Sequence, residues 1–164
     1  MISFTEAIEE HHFNTIEILA NSVWHEHYIP IIGKAQVDYM LKKFQSRGAI
    51  KQQIKDGYHY FLMETHASNI GYLCIKKKSK SLFLSKLYLL KIHREKGFGK
   101  QALAFIETKA KNMDCNTISL TVNKNNLNSM KAYEKVGFKN IGDIIIDIGN
   151  GFVMDDYKME KSIV

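Results

Sequence analysis

The stretch Leu87-Tyr88-Leu89-Leu90-Lys91-Ile92-His93-Arg94-Glu95-Lys96-Gly97-Phe98-Gly99-Lys100 carries the decisive pattern of this chain. An apolar strand runs into a basic loop with two glycines, and helical spacing begins immediately afterwards. Glycines let backbone approach a ligand closely, and a helix N-terminus offers unpaired N–H groups with a favourable dipole. Together they form an anion site suited to a pyrophosphate, with Arg94, Lys96 and Lys100 adding positive charge. Two familiar phosphate motifs fail here. A P-loop needs a glycine where Arg94 stands and a Ser or Thr where Gln101 stands. The dinucleotide fingerprint needs a third glycine where Ala102 stands, and no early βαβ unit surrounds it. The pattern R-x-x-G-x-G is filled by Arg94, Gly97 and Gly99.

Working outward, the chain has 164 residues, 45% hydrophobic and 24% charged, the size and balance of one folded domain over 1–164. One proline and ten glycines argue against a loop-dominated fold. No apolar run approaches the roughly 20 residues that span a bilayer. The opening MISFTEAIEEHHFN lacks the basic-then-apolar order of a secretory signal. Cys74 and Cys115 have no metal-ligand spacing and cannot build a disulfide framework, so both are expected to be buried thiols. These features predict a cytoplasmic protein with no membrane contact. The net charge of +6 suits an anionic partner without choosing one.

Helical spacing covers 8–28, and Pro30 is expected to end that helix because it disfavours helical geometry at Ile29. A second helix carries Val37, Met40, Leu41 and Phe44, with Ser46-Arg47-Gly48 read as its close. Strands are predicted at Tyr58–Glu64 and Ile70–Ile75, joined by a hairpin at His66–Asn69. A lysine-rich connector from Lys76 to Ser81 then leads into a strand at Leu82–Leu90. The second half predicts a helix over 97–112, a strand over Thr117–Val122, a helix near 127–136, and strands at 139–148 and 152–160 around Gly149-Asn150-Gly151. The order predicts an α+β (α/β) domain with a mixed sheet.

The second informative segment is Asn126-Leu127-Asn128-Ser129-Met130-Lys131-Ala132-Tyr133-Glu134-Lys135-Val136-Gly137-Phe138. Met130, Tyr133 and Gly137 share a helical face, and Gly137 is a natural terminator. Asn126 either caps the helix or offers its amide to a ligand.

R-x-x-G-x-G after a strand, followed about thirty residues on by N-x-x-S-x-x-x-Y-x-x-x-G-F, resembles the GNAT superfamily of N-acetyltransferases. The motifs cover about 82–138, and the strand order extends the resemblance over most of the chain. It implies a mixed, mostly antiparallel central sheet of about six to seven strands flanked by about four helices, and acetyl-CoA as co-substrate without a metal. It further implies that backbone amides of Arg94, Glu95, Lys96, Gly97, Phe98, Gly99 and Lys100 hold the coenzyme pyrophosphate. Backbone groups of Leu87 and Leu89 would pair with the pantetheine arm, Asn126 would contact it, and Tyr133 would protonate the leaving thiolate. The chain departs from the family where Lys91 replaces a frequent proline and Glu95 a frequent glycine, the latter setting a carboxylate beside the phosphates.

The implied reaction is acetyl transfer to a primary amine by direct attack on the thioester. An amine of pKa about 10.4 is only about one part in a thousand neutral at pH 7.4, so the acceptor must lose a proton. A phenol of pKa about 10 can serve the departing thiolate as donor. Phe83–Leu89 has no carboxylate, so no base is assigned; Glu26, His27 and Asp155 are candidates.

Gln36-x-x-Tyr39-Met40, Leu84-Ser85-Lys86-Leu87-Tyr88 and the closing Gly151–Glu160 resemble the PaiA-type branch, which acts on polyamines such as spermidine and spermine. Trp24, Glu26, Tyr28 and Asp155 are the candidate acceptor-site residues, with packing as the competing role of the two aromatics. A polycation would need carboxylates, and Glu26, Asp147, Asp155 and Asp156 are available. Other acceptors remain open: a protein or peptide amine, another small-molecule amine, or none, in a coenzyme-binding module without catalysis. A homodimer is compatible with the reading. Nucleic acid is not expected, because Lys76–Lys80 lacks interleaved aromatics. His25-Glu26-His27 does not share a helix face, and His11 and His12 are expected to be solvated, so metal binding is not expected.

Overall fold

A computed structural model describes residues 2–66 and 68–164. Its strands are β1 (Ser3–Glu6), β2 (His59–Thr65), β3 (Ser68–Lys78), β4 (Ser81–Leu89), β5 (Thr117–Asn123), β6 (Lys139–Gly149) and β7 (Phe152–Ser162). Its helices are α1 (Glu10–His27), α2 (Ile29–Ile32), α3 (Lys34–Phe44), α4 (Arg47–Lys55), α5 (Phe98–Asn112) and α6 (Leu127–Lys135). The seven strands form one sheet in the order β1-β2-β3-β4-β5-β7-β6. The β4–β5 pair is parallel, whereas β1–β2, β2–β3, β5–β7 and β6–β7 are antiparallel. The α+β class and the mixed sheet are as expected.

Among the described residues there are six helices rather than about four, and β1 joins the strands. Ser46-Arg47-Gly48 does not close a helix into a loop; it starts α4. The Ser46 side chain accepts the Ala49 N–H and caps the new helix. Pro30 does end α1, and then occupies the first turn of α2, where its missing N–H costs nothing. The lysine connector is shorter than predicted. Lys76–Lys78 continue β3, and the turn is Ser79-Lys80, with Ser79 in the left-handed region at φ 59°. Lys76 and Lys78 reach over the Tyr58 and Phe83 rings at 4.8 and 4.2 Å, which gives the charged strand end apolar contact. Ala67, in the predicted His66–Asn69 hairpin, lies outside the described residues.

The chain divides into two compact units, Met1–Lys76 with Ser85–Ile106, and Lys77–Leu84 with Glu107–Val164. In the first, α1 buries Phe13, Ile16, Leu19, Ala20, Val23 and Trp24, each large side chain contributing about 1.5–3 kcal/mol. Phe105 of α5 stacks on Phe4 of β1 at 4.0 Å and meets Phe61 of β2 edge-on at 5.1 Å. This core also contains hydrogen-bonded polar groups. Tyr60 and Lys86 both donate to Gln53 Oε1, at 2.5 and 2.8 Å, and Tyr72 donates to Gln45 Oε1 at 2.8 Å. Burial holds the Lys86 ammonium below its ordinary pKa and pushes the Cys74 thiol up to about 11. Both cysteines are free and buried.

In the second unit, Ile118, Leu120, Val122, Phe138, Ile148 and Met159 form the core. The β6–β7 turn is built as its sequence predicts, with Gly149, Asn150 and Gly151 all at positive φ.

Candidate active site

In the first unit, β4 leads through Leu90 into a single 3-10 turn at Lys91–His93, and α5 begins at Phe98. Lys91 is the first residue of that turn. The β4 ladder with β5 comprises Ser81–Phe83 only, and Leu84–Leu89 lie outside it. Leu87 and Leu89 therefore belong to the part of the strand whose backbone is not engaged in that ladder.

Arg94 is half-buried, and its Nε donates to the Leu89 carbonyl oxygen at 3.0 Å, tying the start of the loop to the end of the strand. Glu95, Lys96 and Lys100 are exposed. Gly97 has φ 82°, and a Cβ placed on it would meet nothing within 4 Å. Glycine is favoured there by conformation, and the space beside it is open. Gly99 is not left-handed, and its Cβ position would make ordinary contact with Leu89 at 3.9 Å. Glu95 sits at φ 60°, a conformation that glycine adopts more easily. The first-turn N–H groups of α5, from Phe98 to Lys100, open the helix beside this loop. The geometry fits an anionic group such as a pyrophosphate.

Also in the first unit, Trp24 and Tyr28 stack at 4.4 Å, and both meet Tyr88 of β4 edge-on, at 5.7 and 6.2 Å. Tyr72 joins the cluster 5.4 Å from Tyr88. Trp24 is buried, and its indole N–H meets the geometric criteria for a hydrogen bond with none of the described residues. Tyr28 is half-buried, and Glu26 is exposed on α1.

In the second unit, Asn126 is the N-cap residue of α6 and is 4% exposed. Its side chain does not make the cap hydrogen bond; its N–H donates to the Asn123 carbonyl at 2.9 Å. Seven residues on, Tyr133 is half-buried with its ring 5.4 Å from Phe138. Gly137 ends the segment at φ 102°. Asp155 is exposed and paired with Lys124 at 3.0 Å, and the same ammonium holds Asp143 at 3.1 Å.

Asp156, next on β7, is one of the carboxylates the sequence offers to a polycation, and the sequence gives it no part in proton transfer. It is 3% exposed, and burial pushes its carboxyl up to about 6, against the opposing effect of the Thr121 hydroxyl. Alternation separates it from Asp155, but its burial follows from its place between β5 and β6, which no local pattern encodes.

Glu9, His11 and His12 bring potential ligand atoms within 4.8 Å of one another. The chemistry does not fit a metal. His12 Nδ1 accepts the Ile8 and Glu9 N–H groups, both at 3.1 Å, so its proton lies on Nε2 and no lone pair is left for an ion. In His25-Glu26-His27, His25 already engages Asn21 O and Asp38 with its two nitrogens.

The acetyltransferase (GNAT) domain family matches residues 29–161, and the chain belongs to that family. It is an acyltransferase, an N-acetyltransferase that uses acetyl-CoA. Comparison with curated protein sequences finds no match. The fold is similar to that of the PaiA N-acetyltransferase from Thermoplasma acidophilum in complex with coenzyme A, at 20% identity and TM-score 0.80, covering 99% of each chain. It is also similar to a GNAT protein from Rhodopseudomonas palustris, at 11% identity and TM-score 0.82, covering 98% of this chain and 95% of that one. A spermidine N-acetyltransferase SpeG chimera, from Vibrio cholerae and hSSAT, matches at 17% identity and TM-score 0.70, with 98% and 95% covered. No helix among the described residues is long and apolar enough to cross a membrane.

Proposed function

We propose that the acceptor is a small polyamine of the spermidine or spermine type, acetylated on a primary amine. Backbone amides of Arg94–Lys100 hold the pyrophosphate, and the backbone of Leu87 and Leu89 pairs with the pantetheine arm. Asn126 contacts that arm, and Tyr133 gives its proton to the departing thiolate. Trp24, Glu26 and Tyr28 in the first unit, and Asp155 in the second, are the acceptor-site candidates.

The observation that carries the coenzyme assignment is the open left-handed Gly97 at the mouth of α5. The polyamine assignment is supported by the exposed carboxylates Asp143, Asp147 and Asp155 on the β6–β7 hairpin of a chain whose net charge is +6. A flexible polycation is recognised by spaced carboxylates, each contributing through a charge-assisted hydrogen bond. The fold likeness to PaiA and to the spermidine acetyltransferase chimera points the same way.

The test is thiol release from acetyl-CoA against a panel of amines. Release that depends on spermidine or spermine is the expected result. Release with another amine alone discards the polyamine and keeps the coenzyme site. Absence of acetyl-CoA binding in a calorimetric titration overturns the site assignments.

A further inference from the structure

We propose that Asp156 is the general base of this enzyme: its carboxylate accepts the proton that the acceptor nitrogen sheds as it bonds to the acetyl carbon. The assignment rests on the acetyl-transfer reading above and supplies the base that the strand Phe83–Leu89 lacks.

Three observations carry it. Asp156 is one of the few charged side chains buried among the described residues, at 3% exposed, and no ion pair among them includes it. The nearby ammonium, Lys124, is committed to Asp143 and Asp155. A buried carboxylate without a counter-ion is costly, and such groups concentrate at functional sites.

Its position is the second observation. Asp156 pairs across the ladder with Asn123, the last residue of β5. The Asn123 carbonyl accepts the Asn126 N–H at 2.9 Å, and the Asn123 side chain accepts the Asn125 N–H at 2.9 Å. The turn so fixed opens α6, which carries Tyr133. The carboxylate thus adjoins the turn that sets out Asn126 and the proposed acid.

The third observation is its surroundings. On β7 they comprise Asp155, next in sequence, and Lys158, two residues along on the same face. Lys124 follows β5; β5 itself contributes Thr121, which hydrogen-bonds the carboxyl, and β6 places Ile144 opposite. Burial dominates and raises the carboxyl to about 6, so it is ionised at neutral pH yet more basic than an exposed aspartate. Asp155 has an ammonium at 3.0 Å and Glu26 is exposed, which makes both weaker candidates.

The step balances without a further reagent. The neutral amine forms the N–C bond, the C–S bond breaks with its electron pair on sulfur, and Tyr133 protonates the thiolate. The nitrogen proton passes to Asp156, which releases it to water, and tyrosinate regains one from water.

The experiment measures kcat at saturating amine from pH 5 to 9 for wild type, Asp156→Asn and Asp156→Glu, using the first amine that the wild type turns over. Acetyl-CoA affinity and melting temperature are recorded for each protein. The wild type is expected to show an acidic limb near pH 6. Asp156→Asn is expected to lose that limb and at least about 100-fold in kcat at pH 7.5, with acetyl-CoA affinity within about twofold. Asp156→Glu is expected to recover part of the rate and a limb. A rate loss uniform across pH with the limb retained, or an unchanged rate, overturns the assignment and leaves acetyl transfer standing. If the wild type neither binds acetyl-CoA nor turns over any amine, both readings fall.

Discussion

Gly71→Ala is the most informative single substitution outside the candidate site. Gly71 lies on β3, and a Cβ there would fall inside contact distance of the Tyr88 carbonyl oxygen. It would also lie 2.9 Å from Met63 Cε and 3.1 Å from Leu89 Cα. The methionine can turn away, but the other two neighbours are backbone atoms of β4. Relief therefore requires β4 to move on the order of an ångström at Tyr88–Leu89, beside the point where the Leu90 N–H donates to the Ile70 carbonyl at 2.9 Å. Overpacking typically costs about 1–3 kcal/mol, and backbone displacement places this case near the upper end. With a urea m-value of about 2 kcal/mol per M, the midpoint should fall by roughly 1–1.5 M. Leu89 is also proposed to pair with the coenzyme arm. Loss of one or two such hydrogen bonds, at about 0.5–1.5 kcal/mol each, weakens acetyl-CoA binding by about tenfold. Urea unfolding and calorimetry read the two effects. Gly48→Ala is the control: it lies in α4 with nothing within 4 Å of its Cβ position, and should stabilise by about 0.5–1 kcal/mol. An unchanged midpoint and unchanged affinity in Gly71→Ala would refute the close approach of β3 and β4 and its link to coenzyme binding.

Gly97→Val should weaken acetyl-CoA binding at least tenfold, because φ 82° is strained for a β-branched residue; intact calorimetric affinity would remove the pyrophosphate from this loop. Glu95→Gly should raise the melting temperature slightly and tighten acetyl-CoA, since it relieves a left-handed residue at φ 60° and removes a carboxylate; weaker binding would contradict both effects. Tyr133→Phe should lower kcat with coenzyme affinity nearly unchanged, and unaltered turnover would exclude the acid role. The stability of Asp156→Asn relative to wild type should depend on pH. The folded carboxyl titrates near 6 against an ordinary 3.8, so its stabilising protonated form is fully present below pH 3.8 and lost as pH rises through 6. The variant's advantage should therefore grow across that window to about 3 kcal/mol and then level off. A flat difference in denaturation midpoints between pH 4 and 7 would show that the carboxyl is not buried as described.

The sequence alone was sufficient where the determining interaction is local. Arg94, Gly97 and Gly99 are spaced by the backbone they build, and Gly97 does adopt the left-handed conformation that the loop requires. Gly149-Asn150-Gly151 forces a tight turn, and Gly137 stops α6, because each conformation is set within a few residues. Ser46 was misread because Ser-Arg-Gly is compatible with either a helix end or a helix start. The packing of Ile50 into the core favours the start. β1 was missed because Ser3–Glu6 is too short to show a pattern, and its identity as a strand comes from pairing with Phe61–Glu64, far along the chain.

The same division applies to the chemistry. Family membership, and the loop proposed to hold the coenzyme, follow from motifs that neighbouring residues spell out. The burial of Asp156, the sharing of Gln53 by Tyr60 and Lys86, and the approach of Tyr88 to Gly71 do not. Each depends on which strands lie side by side, and burial is a property of the assembled sheet rather than of any residue's neighbours in sequence. Whether a carboxylate is solvated or held near neutrality is therefore decided only when β5, β6 and β7 come together, since only packing removes the water that would otherwise keep it an ordinary acid.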